Sequence, residues 1–376
     1  MTPVLRLLNR VVWLTFLLFL WSQMSCDEEM DLGPIPPFTH AFVANPGTNS
    51  VSVIDLNNFK NIQTIPVGQS PAEVIASPID DLVFVANLAS SSITVIDSNT
   101  HKVVRTIVVG KSPMDIKFSS DGRYAYVACY SSNLISVIDC ETLSVIRNIH
   151  TQRGPISLQI ADRERQIWVT QHIDNSLGLI DLDHHSLKDS IPLSKGPMDS
   201  VLLPDQSRIF VSNSLEDKVS VVDTRTHRVL ETLLTGKTPI QMVLKPDGGE
   251  IYVNNFDADT VSIINTSKIE INGSFAVGKN PIRGVISRDA QRLYIINYGS
   301  NSISVLELPT RQVLASIPVG VHPESLCLTP DDQYLLVSNS GSNDVSVIRT
   351  DLVNLGNNAL FTVIPAGANP AAIAIK

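Results

Sequence analysis

RIFVSNSLEDKVSVVDTRTHRVLETLLTGKTPIQMVLKPD, residues 208–247, decides the fold, because a shift of 42 residues in either direction lands on a diverged copy of the same stretch. Pro71, Pro113, Pro155, Pro197, Pro239, Pro281 and Pro323 are each 42 residues apart, and Pro370 follows after 47. The residue ending each V-S-V-I-D run keeps the period through Asp55, Asp97, Asp139, Asp181, Asp223, Asn265, Glu307 and Arg349. So does the residue ending each F-V-A run: Asn45, Asn87, Cys129, Gln171, Asn213, Asn255, Asn297 and Asn339. A fixed period of this length marks a repeat architecture.

Each copy holds four short apolar runs separated by turn residues. In the quoted copy these are Ile209 to Asn213, Val219 to Asp223, Val229 to Leu234 and Pro239 to Leu244. Their alternation is that of strands, and no sustained helical spacing interrupts it. Asp223 opens D-T-R-T-H-R, where a carboxylate accepts from the N–H two residues on and holds a tight turn. K-P-D-G supplies the other turn. One copy is therefore a four-stranded antiparallel meander with two apolar faces, and radial packing of copies into a β-propeller buries both.

The G-x-x-P connection suits a crossing from the rim of one blade to the hub of the next. The run after each proline is then the innermost strand. Eight copies of each strand predict eight blades, with seven as the alternative if the last copy, which carries a five-residue insertion near Leu352 to Leu360, is displaced. The repeat begins at a second strand (Ala41 to Asn45) and ends on an innermost one (Pro370 to Lys376), so both ends of the repeat region should pair and close one blade. The expected class is all-β, a propeller of residues 38–376.

Residues 1–25 read as an export signal: Arg6 and Arg10 precede an apolar run from Val11 to Trp21 that is shorter than the ~20 residues needed to span a bilayer. Cys26 has two readings, a lipidation site or a residue just past an ordinary cleavage near Ser25. DEEMD and GPIPP make residues 26–37 a tether that suits the first. Loss of residues 1–25 removes two arginines and no acids, so a net charge of −9 becomes −11. That acidity does not suit nucleic acid. Cys129, Cys140 and Cys327 read as buried free thiols, the first two being at opposite ends of one hairpin.

FVAN, FVAN, YVAC, WVTQ, FVSN, YVNN, YIIN and LVSN, each followed by an S-V-S-V-I-D-like strand and T-I-P-V-G-x-x-P, resemble the YVTN family of β-propeller repeats from Phe38 to Lys376. The resemblance implies the propeller and an exported setting, at the outer membrane, on the cell surface or in the periplasm. For function it implies several things: surface-layer proteins, relatives of lactonases and quinoproteins, and surface lipoproteins that capture corrinoids beside an outer-membrane transporter. Cys26 resembles the lipidation site of bacterial lipoproteins, and the acids after it resemble a surface-export signal.

Propellers host many chemistries, so function has to be read from loops. The crossings and the loops after F-V-A-N should open on one face. One crossing position carries Gln69, Lys111, Arg153, Lys195, Lys237, Lys279, Val321 and Ala368, placing cations on five consecutive blades. After the Asn position come Pro46, Leu88, Tyr130, His172, Ser214, Phe256, Tyr298 and Ser340, of which Tyr130, His172, Phe256 and Tyr298 are flat rings. Such a face suits a phosphate-bearing or otherwise anionic, partly apolar ligand. The alternative is solvated lysines and rings that only cover blade tops. Two residues past the prolines, Asp115 and Asp199 approach the channel mouth, where carboxylates serve lactonase-type propellers as cation ligands or acid–base groups. His184 and His185 look like a metal pair but fall in a turn on the opposite face. With no C-x-x-C-H and no histidine cluster, no cofactor and no metal is assigned. The expectation is a binding or interaction scaffold for a small ligand or partner protein, with an exported enzyme centred near Asp115 and Asp199 as the alternative.

Overall fold

A computed structural model describes residues 39–161 and 165–376. The expected signal segment, Cys26 and the tether lie outside the described residues.

The described residues form eight four-stranded antiparallel sheets. We number the blades from the one holding His40–Asn45, so that blades two to eight begin at Pro71, Pro113, Pro155, Pro197, Pro239, Pro281 and Pro323. In the quoted repeat the strands are Arg208–Asn213, Lys218–Asp223, Arg228–Leu234 and Pro239–Leu244, within one residue of the expected runs. The strand after each proline is the inner edge of its blade, and successive inner strands adjoin one another around the ring, the last next to the first. Proline suits that first position because it has no N–H to leave unpaired at a sheet edge.

Burial grades outward along each blade. The second strand is buried on both faces, whereas the outermost strand is exposed except near its end. Eight apolar clusters account for this, one at each junction between blades rather than inside any blade. At the junction of blades four and five, Trp168 and Leu179 pack on Ile209 and Val211. A blade has no core without its neighbours, the energetic reason for a closed ring.

Both ends of the repeat region close blade one. Ala41 to Ala44 pair with Ile375 to Ala372 in antiparallel register, and His40 N–H and Lys376 N–H exchange bonds with each other's carbonyls at 3.1 and 3.0 Å. Blade eight keeps its four strands, its extra residues being taken up by 3₁₀ turns over Thr350–Ala359 whose Val353 and Ala359 pack into the junction with blade seven. The seven-bladed alternative is thereby excluded.

The Asp turns form as expected: Asp223 Oδ1 accepts from Arg225 N and Thr226 N at 3.1 and 2.6 Å. Such bonds hold the Asp97, Asp139 and Asp223 carboxyls low, and Asp181 at about 2 through bonds from His184 N–H and its ring. The periodic asparagine, by contrast, is not a turn residue. Asn45, Asn87, Asn213, Asn255, Asn297 and Asn339 are fully buried. Each donates through Nδ2 to the hydroxyl seven residues on, as Asn255 does to Ser262 Oγ at 2.9 Å. The crossing glycine lies against that amide: a Cβ on Gly236 would sit 2.8 Å from Asn255. This glycine serves close approach, not a turn.

Cys129 and Cys140 lie at opposite ends of the hairpin, Cys129 opposite Leu134, and both are buried. Burial pushes the Cys140 thiol up to about 12. Cys327 is half-buried rather than buried, because it lies on an innermost strand beside the channel.

Candidate functional site

The crossings and the loops after the buried asparagines do share a face, and they are stitched together. In blade seven, Tyr298 N donates to Asn280 O at 3.0 Å and Gly299 N to Lys279 O at 3.0 Å. Lys279 N donates to Ser300 Oγ at 3.0 Å, and Asn280 N to Asp259 Oδ1 of the preceding blade at 2.8 Å. Blade three repeats this with Lys111 N to Ser132 Oγ at 2.7 Å. The backbone under these cations is therefore held in place by hydrogen bonds.

Lys111, Arg153, Lys195, Lys237 and Lys279 are all exposed. Arg153 is committed: its guanidinium pairs with Asp174 at 2.5 Å. The face also carries acids. Asp217 and Asp259 accept backbone N–H groups, Asp257 accepts from Thr238 Oγ1, and Glu216 pairs with Lys218. Among the described residues Lys111, Lys195, Lys237 and Lys279 make no ion pair within 4.0 Å.

Tyr130, His172, Phe256 and Tyr298 are half-buried, and three open toward the next blade. His172 Nδ1 is 2.9 Å from Pro197 O, Tyr130 lies 6.4 Å from the His172 ring, and Tyr298 stacks on His322 at 4.7 Å and 9°. Ser214 fills the gap in the series with a bond to Gly196 O at 3.0 Å. Cations thus occupy five consecutive blades, three to seven, and rings four of the same five, whereas at these two positions blades one, two and eight carry neither.

Asp115 and Asp199 lie in the channel wall, two blades apart, and each reaches across to the next blade. Asp115 Oδ2 accepts from Leu158 N at 2.8 Å, and Asp199 Oδ2 from Met242 N at 2.9 Å. Gln241 Oε1, at the same repeat position, accepts from Gly284 N at 3.1 Å. These side chains clasp successive inner strands, so the two carboxylates are engaged by backbone. Sequence reading missed Lys117, which pairs with Asp115 at 3.5 Å; two residues apart on a strand, they share a side. Glu73, Asp115, Asp199, Lys117 and Arg283 then interact across the channel. Burial raises Glu73 above the ordinary carboxylate range and Asp115 adds to this, while Arg283 and Lys117 oppose it. Burial also raises Asp199, and the Asp115 carboxylate raises Lys117.

The raised Glu73 carries a pH dependence. The folded protein holds a proton there that the unfolded chain has lost, so its contribution to stability falls as pH rises from about 4.5 through the raised folded value. Glu73→Gln should therefore have a higher urea midpoint than the wild type at pH 7, and the gain should vanish below pH 4.5, where Glu73 is protonated in both states. Equal midpoints at pH 7 would contradict the raised value.

His184 and His185 lie in the turn between Ser176–Asp181 and Ser186–Pro192, on the opposite face, with His184 bonded to Asp181 at 3.1 Å. Among the described residues no three His, Cys, Asp or Glu side chains converge as a metal would need. A cleft of about 420 Å³ also lies on that face, between blades three and four, away from the cation crescent.

The fold defines the class: the chain is an eight-bladed β-propeller. A family described as YNCE-like β-propeller matches residues 34–121 and 199–289, and with the repeat this supports a YVTN/YNCE-like β-propeller protein. No curated protein matches it. Among solved structures it is similar to hydrazine synthase of Kuenenia stuttgartiensis, at 23% identity over 74% of this chain and 95% of that one, with a TM-score of 0.62. It is similar to the dihydro-heme d1 dehydrogenase NirN in complex with DHE, at 15% identity over 91% and 76%, with a TM-score of 0.76. A functionally unknown protein from Desulfotomaculum acetoxidans DSM 771 matches at 14% identity over 90% and 98%, with a TM-score of 0.60. At these identities the likenesses establish fold alone.

Proposed function

We propose that this propeller is an exported binding scaffold, tethered by lipid at Cys26, that captures a small ligand without transforming it. The ligand is anionic and partly apolar, a phosphate-bearing corrinoid being one that fits, and an outer-membrane transporter beside it would take the captured molecule. One observation carries the reading: the unpaired lysines and the half-buried rings lie together within blades three to seven, both being present on blades three, six and seven, on backbone already fixed by hydrogen bonds. Rings supply contact area and cations orient the anion, at little ordering cost on a rigid frame.

A second reading, an exported enzyme of lactonase-like or quinoprotein-like kind centred near Asp115 and Asp199, draws on two of the similar folds being those of NirN and hydrazine synthase. The commitment of both carboxylates to neighbouring backbone weighs against it. Native mass spectrometry with absorbance of the protein purified from its own source separates the two. A retained corrinoid or other organic anion without turnover is the expected result; retained calcium or quinone with activity would overturn it.

A further inference from the structure

The outer hairpin turn of a blade leans back over the preceding blade, and its fifth residue has a counterpart there. At the junction of blades four and five, His227 lies edge-on to Trp168 at 5.7 Å, and its Nδ1 is 3.0 Å from Asp189 Oδ2. At the junction of blades one and two, Gln63 Nε2 donates to His101 O at 3.1 Å. At the junction of blades six and seven, Arg311 pairs with Glu250 at 2.5 Å. At the junctions of blades four and five and of blades six and seven a side chain of the preceding blade pairs with the turn residue's side chain, whereas at that of blades one and two it meets only the backbone carbonyl and His101 Nε2 is buried without a partner among the described residues.

The junction of blades three and four departs from that of blades four and five. One repeat before Asp189 and His227 stand Arg147 and His185, so two basic groups meet where the next junction has a base and an acid. His185 Nδ1 is buried with no hydrogen-bond partner among the described residues. Burial first, then the Arg147 and Arg165 guanidiniums, hold its pKa below the ordinary histidine value, against the pull of Asp181 and Asp183. Asp183 is itself engaged by Arg165 at 2.6 Å, and Asp121, at the edge of the cleft, accepts from Ser119 Oγ at 2.6 Å and Arg123 N at 3.1 Å. Among the described residues Arg147 makes no ion pair. These groups line the cleft of about 420 Å³, together with Tyr124, Tyr126 and Val137. That volume lies in the range of about 300–1,000 Å³ usual for small-molecule sites.

We propose that this cleft binds a small organic oxyanion, a carboxylate or phosphate on a flat or apolar body, whose oxygen takes the place that the Asp189 carboxylate fills one junction further on. Arg147 and Arg165 bracket the anion, His185 Nδ1–H donates to it, and the tyrosine rings contact its body. The site is independent of the cation crescent, which lies on the other face.

The test titrates the full chain calorimetrically with phenyl phosphate and, separately, benzoate. Arg147→Asp copies the arrangement of blades four and five, and Arg147→Gln copies Gln63, so both suit the fold. Arg105→Asp makes the same charge change one repeat earlier, where the turn residue is Leu143. Saturable binding of either probe at millimolar concentration is expected, weakened at least about tenfold by both Arg147 variants and less than about twofold by Arg105→Asp, a gap that separates a bidentate contact from a screened surface charge. Binding of neither probe overturns the proposal, as does equal weakening by Arg105→Asp.

Discussion

Deleting residues 371–376 should destabilise the ring by roughly 5 kcal/mol or more and abolish a single cooperative unfolding transition, by the sum of the backbone bonds and apolar burial it removes. The segment supplies the inner strand of blade one, pairs with Ala41 to Ala44, and buries Ala372, Ile373 and Ala374. Lys376 Nζ also bonds Ser77 O of blade two at 2.8 Å. Without it, blade one loses its edge on the channel and the inner strands of blades two and eight lose a neighbour. Stability in a repeat array is a sum of nearest-neighbour terms, so an open end exposes two apolar faces at once. Urea unfolding followed by circular dichroism checks this; an unchanged midpoint and slope would mean that the ring does not close through this strand.

Much of this architecture was legible because its causes are periodic. Proline, the Asp turn and the V-S-V-I-D run recur for local reasons, and local reasons leave marks at a fixed spacing. Strand order, closure and the shared face of Lys237 and Ser214 followed from those marks. The buried asparagine was legible as a column but not as a contact, since Asn255 bonds Ser262 on the paired strand and a sequence shows only that both recur. Asp115 and Asp199 looked like channel-mouth chemistry because their partners, Leu158 N and Met242 N, are backbone groups of the next blade. The cleft is not legible in the sequence for a related reason. Arg147 and His185 meet only across a junction, and their meaning lies in the contrast with Asp189 and His227, which are 38 residues apart.

The second large effect concerns the cation crescent. Lys111, Lys195, Lys237 and Lys279 are exposed and unpaired among the described residues, so each contributes a screened attraction of about 0.5 kcal/mol to an anion seated among them. Together they amount to about 2 kcal/mol, or roughly thirtyfold in affinity. Arg153 adds less, because Asp174 already holds its guanidinium. None of the four lysines packs in a junction, so their removal should leave the unfolding transition where it is. The attraction should also weaken as salt is added, which an apolar contact would not.

The most direct measurement is therefore the affinity of the intact protein for cyanocobalamin, a probe that carries a phosphodiester beside a broad ring system, beside that of the variant with all four lysines replaced by alanine. We expect binding by the wild type and a loss of roughly thirtyfold in the variant at unchanged stability. No binding by the wild type, or equal affinity in the two proteins, would contradict the assignment of this face.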